Sequence, residues 1–257
     1  MLKPEAQLIS RLLCEETDER YCFLIRHGVV HWIESETFTL FVELKQIPNV
    51  LIVYRRPAER NANSEKVQID GRNLKHVPLL EGEERIKHLS LACNEIAKID
   101  NIVSMPHLQH LDLSSNHLVE IGISMAMGSN LSQLRVLNLA KNRITKIKNL
   151  ELFLNLESLD LSSNRIKEVE NLHTLKSLRT LNVSCNLLET LDLPTSLTLL
   201  VELNAKRNML KTVGQLDGLL KLQKLYLSFN NVTKISHLSL PSLQDLMLDN
   251  NPIDTRT

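Results

Sequence analysis

The chain has 257 residues, of which 43% are apolar and 23% are charged, so it is long and apolar enough to bury a sizeable core. Its 30 lysines and arginines are balanced by 30 aspartates and glutamates. This balance excludes a global positive field that would attract nucleic acid or an anionic membrane, so recognition through charge has to be local.

Hydropathy and cysteine usage indicate where the protein resides. The longest apolar runs, such as Val50 to Tyr54 and Leu197 to Val201, are far shorter than the roughly 20 residues that cross a bilayer. The N-terminal stretch lacks an apolar segment followed by a small-residue cleavage site, so we expect no secretion. None of the four cysteines forms a CxxC pair, and no cysteine cluster marks either end. Reduced thiols and a cytoplasmic location are therefore expected.

Residues 1–64 carry no internal repeat, and we predict that they form an N-terminal cap or a small non-repeat region. Tyr21 to Ile25 and Phe38 to Tyr54 are rich in aromatic and β-branched residues, which favour strands. The polar stretch from Arg55 to Lys66 is predicted to be a linker. The region could cover the end of the repeats that follow or be a separate binding element, and both alternatives stay open.

The rest of the chain, residues 65–257, repeats the pattern LxxLxLxxNxL with a period of 22 residues. In the first full copy Leu89 and Leu91 form the LxL pair and Asn94 is the asparagine. A degenerate copy precedes it and has Arg72 in place of the asparagine, as is common for terminal repeats. The eight asparagines of the column are Asn94, Asn116, Asn142, Asn164, Asn186, Asn208, Asn230 and Asn251.

The period is interrupted between Asn116 and Asn142, which are 26 residues apart. We therefore predict an insertion near Gly122 to Ser129 within an array of about nine units. The array ends shortly after Ile253 without a segment that could close the last coil. We expect that coil to be uncapped here and to be covered by a further segment or by another molecule.

Each LxL segment is predicted to be a short parallel strand, because its two leucines point inward and the residue between them points outward. The asparagine amide is expected to bond backbone groups at the bend where the chain leaves the sheet. Each coil has too few residues for a long helix on its far side. Turns and short 3₁₀ segments are therefore expected there.

From Val67 onward the repeats resemble intracellular leucine-rich repeat proteins of the 22-residue class, typified by the conserved regulatory subunit of protein phosphatase 1. The resemblance implies an α/β-type repeat solenoid, a horseshoe with a parallel sheet on its concave face and turns on its convex face. Members bind phosphatases, tubulin-modifying complexes, dynein chains and spliceosomal proteins. It therefore implies a non-catalytic protein-binding scaffold or regulatory subunit.

Two stretches carry a more particular resemblance. Asn73 to Ile99 begins with Leu-x-x-Val-Pro-Leu-Leu-Glu-Gly-Glu-Glu, and Leu222 to Ile253 contains Leu-Tyr-Leu-Ser-Phe-Asn-Asn-Val and Asn-Asn-Pro-Ile. Both are similar to the leucine-rich repeat subunit of the tubulin polyglutamylase complex. This resemblance implies a place in a cytoskeletal or tubulin-modifying complex, with cytoskeletal association. The alternative is a regulatory subunit of a serine/threonine protein phosphatase.

Outward residues of the parallel strands are the candidate partner-binding groups, because their spacing is fixed and they do not maintain the core. Tyr226, Phe229 and Met247 stand near lysines and an arginine, and aromatic, Met and Arg side chains are enriched in interface hot spots. The alternative is that Tyr226 and Phe229 pack against a C-terminal cap. The candidate residues are Asp112, Asn138, Asp160, Asn182, Glu202, Asn204, Lys206, Arg207, Lys224, Tyr226, Phe229 and Met247.

Known catalytic, cofactor-binding and metal-binding motifs are absent from the sequence. There is no phosphate-binding glycine loop, no GxSxG and no HExxH, so we expect no enzyme, no cofactor and no small-molecule ligand. His88 and His110 are expected on adjacent strands, but two imidazoles are not a metal site and we predict none. Cys93 and Cys185 lie four coils apart, about 19 Å, which is too far for a disulfide. Acidic residues among the strand columns argue against a nucleic-acid partner.

Overall fold

The structure is a computed structural model that describes residues 39–43, 51–55, 57–80, 83–99, 102, 105–121, 131–214, 216–235 and 239–254. The predicted strand at Tyr21 to Ile25 and the predicted insertion at Gly122 to Ser129 lie outside the described residues. The described elements are β1 (Thr39–Glu43), β2 (Leu51–Arg55), α1 (Pro57–Ala62), β3 (Lys66–Gln68), β4 (Leu79–Leu80), β5 (His88–Ser90), β6 (His110–Asp112), β7 (Val136–Asn138), β8 (Ser158–Asp160), β9 (Thr180–Asn182), β10 (Glu202–Asn204), β11 (Lys224–Tyr226) and β12 (Asp245–Met247).

Nine of these strands form one parallel sheet in the order β3, β5, β6, β7, β8, β9, β10, β11, β12. Equivalent repeat positions pair directly, so that Leu89 lies opposite Leu111 and Leu111 lies opposite Leu137. The leucine in the middle of each of β5 to β11 is buried, while the residues on either side of it are half-buried. The prediction of one short parallel strand per repeat is confirmed.

The far side of each coil consists of consecutive tight turns. In one coil the amide of Phe153 donates to the carbonyl of Leu150 at 3.0 Å, and the amide of Leu156 donates to the carbonyl of Phe153 at 3.0 Å. Phe153 itself is fully buried and completes the core between sheet and turns. The fold is the predicted leucine-rich repeat horseshoe, with little helix in its described part.

The column of asparagines binds neighbouring coils together. The amide group of Asn164 donates to the carbonyls of Leu139 at 2.9 Å and Leu161 at 3.0 Å, and its oxygen accepts from the amide of Ile144 at 2.9 Å. The same three kinds of bond recur from Asn94 to Asn251. Each asparagine therefore satisfies backbone groups of two coils at a bend where sheet bonding stops.

The residue before each ladder asparagine has a left-handed backbone. Its φ lies between 54° and 59° in all eight coils. Glycine or asparagine adopts this conformation most readily, yet most coils place other residue types there. In the degenerate first copy, Gly71 occupies the position with a φ of 64°. The bend is therefore imposed by the repeat and the asparagine bonds rather than by local preference.

A second, three-stranded sheet joins the N-terminal region to the repeats. Its order is β1, β2, β4, with β1 and β2 antiparallel and β2 and β4 parallel. Since β4 belongs to the first repeats, backbone bonding crosses the predicted boundary at residue 64. The predicted linker contains α1, whose first residue is Pro57, a residue that suits the first turn of a helix. The division into a cap and repeats stays a prediction.

A buried ion pair links the N-terminal region to the first repeats. Arg55 donates to both carboxylate oxygens of Glu83, through Nε at 2.7 Å and Nη2 at 2.5 Å, and both residues are buried. Nη1 of Arg55 also donates to the carbonyls of Asn63 and Lys66. The guanidinium thus satisfies the carboxylate and two backbone groups at once, which a buried charge requires.

Replacing Asn164 with alanine is expected to lower the free energy of unfolding by about 3 kcal/mol, because a buried amide and two carbonyls lose their partner. Urea unfolding followed by circular dichroism measures the loss. Asn155→Ala is the matched control: its amide donates to the carbonyl of Ser132 at 2.8 Å, but the bond is exposed. It should cost under about 1 kcal/mol. Equal losses in both variants would contradict the ladder's role.

Glu83→Leu is expected to destabilise the protein by about 3–5 kcal/mol, because it leaves the Arg55 guanidinium buried without its anion. The double variant Arg55→Met/Glu83→Leu should recover at least half of that loss, since both members of the fully buried pair are removed and Arg60, which also bonds Glu83, is partly exposed. Denaturant unfolding of the two variants measures both effects. A double variant less stable than Glu83→Leu would show that the backbone bonds of Arg55 matter more than the pair.

Candidate functional site

The twelve candidate residues lie on one continuous surface, the strand face of the nine-stranded sheet, with the bends that follow it. Seven of them close strands β6 to β12, and Glu202 and Lys224 open β10 and β11. Lys206, Arg207 and Phe229 follow the strands at the left-handed bend or just before it. The parallel register aligns equivalent residues in columns, so the positions predicted from the repeat are the positions observed.

The central part of the strand face is a row of bonded polar side chains. Asn138 donates to Asp112 at 3.1 Å, and Asn182 donates to Asp160 at 3.0 Å. The other oxygen of Asp112 accepts from the amide of Ser114 at 2.8 Å. These side chains are fixed before a partner arrives, so binding would cost little side-chain entropy. Each carboxylate keeps acceptor capacity for a further bond.

The C-terminal part of the strand face combines cations with aromatic rings. Nζ of Lys206 lies 4.7 Å from the ring centre of Tyr226 and 3.2 Å from the sulfur of Met247. The guanidinium carbon of Arg207 lies 4.8 Å from the ring centre of Phe229. These are cation–π distances. We call these five residues the cation–aromatic cluster.

An ion pair and a hydrogen-bonded carboxylate border the cation–aromatic cluster. Nζ of Lys224 lies 3.3 Å from a carboxylate oxygen of Glu202, and this hydrogen bond is the main cause that raises the pKa of Lys224. Asp249 accepts from the hydroxyl of Ser228 at 2.6 Å, which lowers the pKa of Asp249 more than any other group does. The ion pair of Lys224 with Glu202 is partly exposed and contributes little stability. Lys224 is therefore available to a partner carboxylate.

Asp249 was not among the predicted residues, although it belongs to the same surface. It stands at the repeat position of Lys206, two residues after the end of its strand. The nearby charge of Lys206 is one of the smaller causes that lower the pKa of Asp249. Reading that column in full would have found it. The cation–aromatic cluster therefore has an anionic neighbour just after the strand of the last described coil.

At the other end of the strand face, His88 and His110 stack with ring centres 4.1 Å apart and planes at 15°. Burial is the main cause that lowers the pKa of His110, followed by the charge of His88. Within the described ranges no group of three metal-ligating side chains occurs. Cys93 and Cys185 are exposed free thiols. No helix in the described part is long and apolar enough to cross a membrane.

The stacked parallel strands, the buried asparagine column and the open strand face define a repeat solenoid. A protein-family profile described as "Leucine Rich repeats (2 copies)" matches residues 84–125, 132–172, 154–195 and 220–255, more than half of the chain. The chain belongs to the leucine-rich repeat family. Members are generally non-catalytic binding scaffolds, and the fold is typical of protein–protein interaction.

Solved structures agree with this assignment. A leucine-rich repeat protein of Leptospira interrogans is 24% identical over 76% of this chain and 58% of its own, with a TM-score of 0.64. Internalin C2 from Listeria monocytogenes is 25% identical over 68% of this chain and 76% of its own, with a TM-score of 0.57. TLR13, in a complex with ssRNA13, is 26% identical over 77% of this chain and 35% of its own, with a TM-score of 0.61. No curated protein matches the sequence.

Replacing Ser228 with alanine is expected to raise the pKa of Asp249 towards that of an ordinary aspartate, because its main hydrogen bond is lost. With the bond present, ionised Asp249 stabilises the folded protein at pH values above the pKa of this residue in the unfolded chain. This stabilisation is lost as the pH falls through the lower pKa of Asp249 in the folded protein. Carboxyl carbon NMR titration of Asp249 measures the change. Ser196→Ala, whose hydroxyl donates to the carbonyl of His173, is the control and should leave this pKa unchanged.

Proposed function

We propose that this protein is a non-catalytic scaffold or regulatory subunit that binds a protein partner on its strand face. The cation–aromatic cluster is the anchor, and the polar row from Asp112 to Asn204 aligns the partner along the sheet. The observation that carries the proposal is the cluster itself, where Arg207 stacks on an exposed Phe229. Enzymatic activity and a cofactor have no place in this function.

The position of Phe229 supports a binding role. Its φ is 59°, in a region where a bulky residue is disfavoured, and its side chain is 45% exposed. A phenylalanine at this position therefore stabilises neither the backbone conformation nor the core. Exposed aromatic groups beside arginine are typical of interface hot spots. β12 follows the strand of Tyr226, so Tyr226 and Phe229 do not belong to the outermost described coil, although Met247 of the cluster does.

The class of partner is proposed from the resemblance of Asn73 to Ile99 and Leu222 to Ile253 to the leucine-rich repeat subunit of the tubulin polyglutamylase complex. The second stretch contains Tyr226, Phe229 and Met247, and so includes most of the cluster. We propose a place in a cytoskeletal or tubulin-modifying complex in the cytoplasm. Lys206, Arg207 and Lys224 would suit acidic segments of such a partner.

A second candidate function is regulation of a serine/threonine protein phosphatase. The 22-residue period favours it, because that period is typical of the conserved regulatory subunit of protein phosphatase 1. The two candidates differ in what the protein retains. A tubulin ligase with its companions would identify the first, and a phosphatase catalytic subunit would identify the second.

Tyr226→Ala/Phe229→Ala is expected to lose a specific set of partners in affinity purification of the full chain, because the anchor of the strand face is removed. Mass spectrometry of retained proteins measures the loss, with a reduction of at least tenfold expected for a pair of hot-spot residues, each worth about 2 kcal/mol. The melting transition should stay close to that of the unaltered protein, because Tyr226 is half-buried and Phe229 is exposed.

The matched control is Leu154→Ala/Leu220→Ala, which removes two exposed apolar side chains from the turns away from the strand face. It should retain the partners. If the aromatic variant keeps every partner, or if it loses partners only together with its fold, the strand face is not the binding surface.

A further inference from the structure

A second surface runs beside the strand face, along the residues that directly follow the ladder asparagines. We call it the asparagine edge. Its side chains face solvent, and neighbouring ones are about 4.8 Å apart because the coils have the spacing of paired strands. Its character changes from charged to apolar along the solenoid. In chain order the column reads Glu95, His117, Arg143, Arg165, Leu187, Met209, Asn231 and Pro252.

The basic half of the asparagine edge lies on two adjacent coils. Arg143 and Arg165 of the edge belong to adjacent coils, and Lys146 and Lys167 follow them a few residues later in the same coils. All four are exposed, and among the described residues none has a carboxylate within ion-pair distance. By contrast, Lys211 further along the edge is paired with Glu189 at 2.9 Å. Anion-binding capacity is therefore left open on these two adjacent coils.

An open depression of about 470 Å³ lies on the same coils. It is lined by Thr145, Lys146, Arg165, Lys167, Leu187, Glu168 and Glu170. The two carboxylates would repel an acidic segment and so favour its placement beside the arginines rather than within the depression.

The apolar half begins at the depression, which Leu187 lines. Leu187 and Met209 are neighbours in the column and are 38% and 39% exposed. Single exposed apolar residues are common, but two in register beside unpaired arginines form a surface with charge on one side and apolar area on the other. Such a surface complements a segment of the opposite charge that also carries an apolar side chain.

We propose that the asparagine edge binds an extended acidic peptide segment of a partner protein. Carboxylates of the segment would pair with Arg143 and Arg165, whose guanidinium groups suit bidentate bonding. An aliphatic or aromatic side chain would cover Leu187 and Met209. Three coils, about 14 Å, separate the first and last of these residues, and an extended chain rises about 3.3 Å per residue. The segment therefore carries two acidic residues and, about four positions away, an apolar one.

The proposal concerns a different surface from the strand face and does not need the proposed function to hold. Its test uses the full chain and fluorescence anisotropy of a labelled synthetic peptide with the sequence Gly-Glu-Ser-Glu-Ser-Leu-Ser-Phe-Ser-Gly, in which the glutamates and the apolar pair share one face of an extended chain. Peptides with lysines for the glutamates, or serines for the apolar pair, are the comparison probes. Binding of the first peptide, weakening with added salt, and at least tenfold weaker binding of both others are expected.

Arg143→Glu/Arg165→Glu and Leu187→Ser/Met209→Ser should each weaken binding of the first peptide by at least tenfold. Lys176→Glu/Lys221→Glu makes the same charge change on exposed turn residues and should leave binding unchanged. Tyr226→Ala/Phe229→Ala should also leave it unchanged, which separates this surface from the strand face. If the melting temperature of Arg143→Glu/Arg165→Glu is lowered, Arg143→Gln/Arg165→Gln replaces it, because glutamine removes the positive charge without adding a negative one. The same loss of peptide binding is expected.

The proposal is overturned if the first peptide does not bind, or if edge variants that melt like the unaltered protein bind it equally well. Equal binding of the serine-substituted peptide would reduce the surface to a non-specific charge patch and would also overturn it. Vesicles containing phosphatidylserine and a single-stranded RNA are tested in parallel. If the vesicles or the RNA bind and the peptide does not, and if this binding is lost in Arg143→Glu/Arg165→Glu, the edge belongs to another class of partner and the proposal is overturned.

Discussion

The side-chain amide of the ladder asparagine is the interaction on which the rest of the structure depends. Each coil must turn sharply out of the sheet after a strand of only three residues. At this turn the backbone amides and carbonyls no longer bond within the sheet, and without other partners they would be buried unsatisfied. One asparagine satisfies groups on its own coil and on the preceding one, as Asn186 does with Val183, Leu161 and Ile166. The bond thereby fixes both the bend and the stacking of the coils.

This constraint explains why the solenoid has surfaces of such different chemistry at constant geometry. The asparagine and the buried leucines are fixed by backbone and core, so the residues between and beside them are free to vary. The strand face therefore changes from the stacked His88 and His110, through a row of bonded amides and carboxylates, to the cation–aromatic cluster. Recognition by this fold depends on columns of side chains, whose spacing is the same from coil to coil.

The repeat period was sufficient to predict the strands, their order, the buried columns and the position of every candidate residue on the strand face. What it could not predict depends on contacts outside the period. The pairing of β2 with β4 joins residues 27 positions apart, and the ion pair of Arg55 with Glu83 joins residues 28 positions apart, in segments that share no pattern. The stacking of Arg207 on Phe229 depends on rotamers, about which spacing carries no information.

The left-handed bend residue stands between the strand face and the asparagine edge, because it directly precedes the ladder asparagine and the edge residue directly follows it. At the C-terminal end this position holds Arg207 and then Phe229, while the edge residue after Asn208 is Met209. A partner that covers Phe229 from the strand face would therefore approach the apolar half of the edge. Since the asparagine between the two surfaces is rigidly bonded, any coupling between ligands bound there would arise from direct contact rather than from a change in the coil.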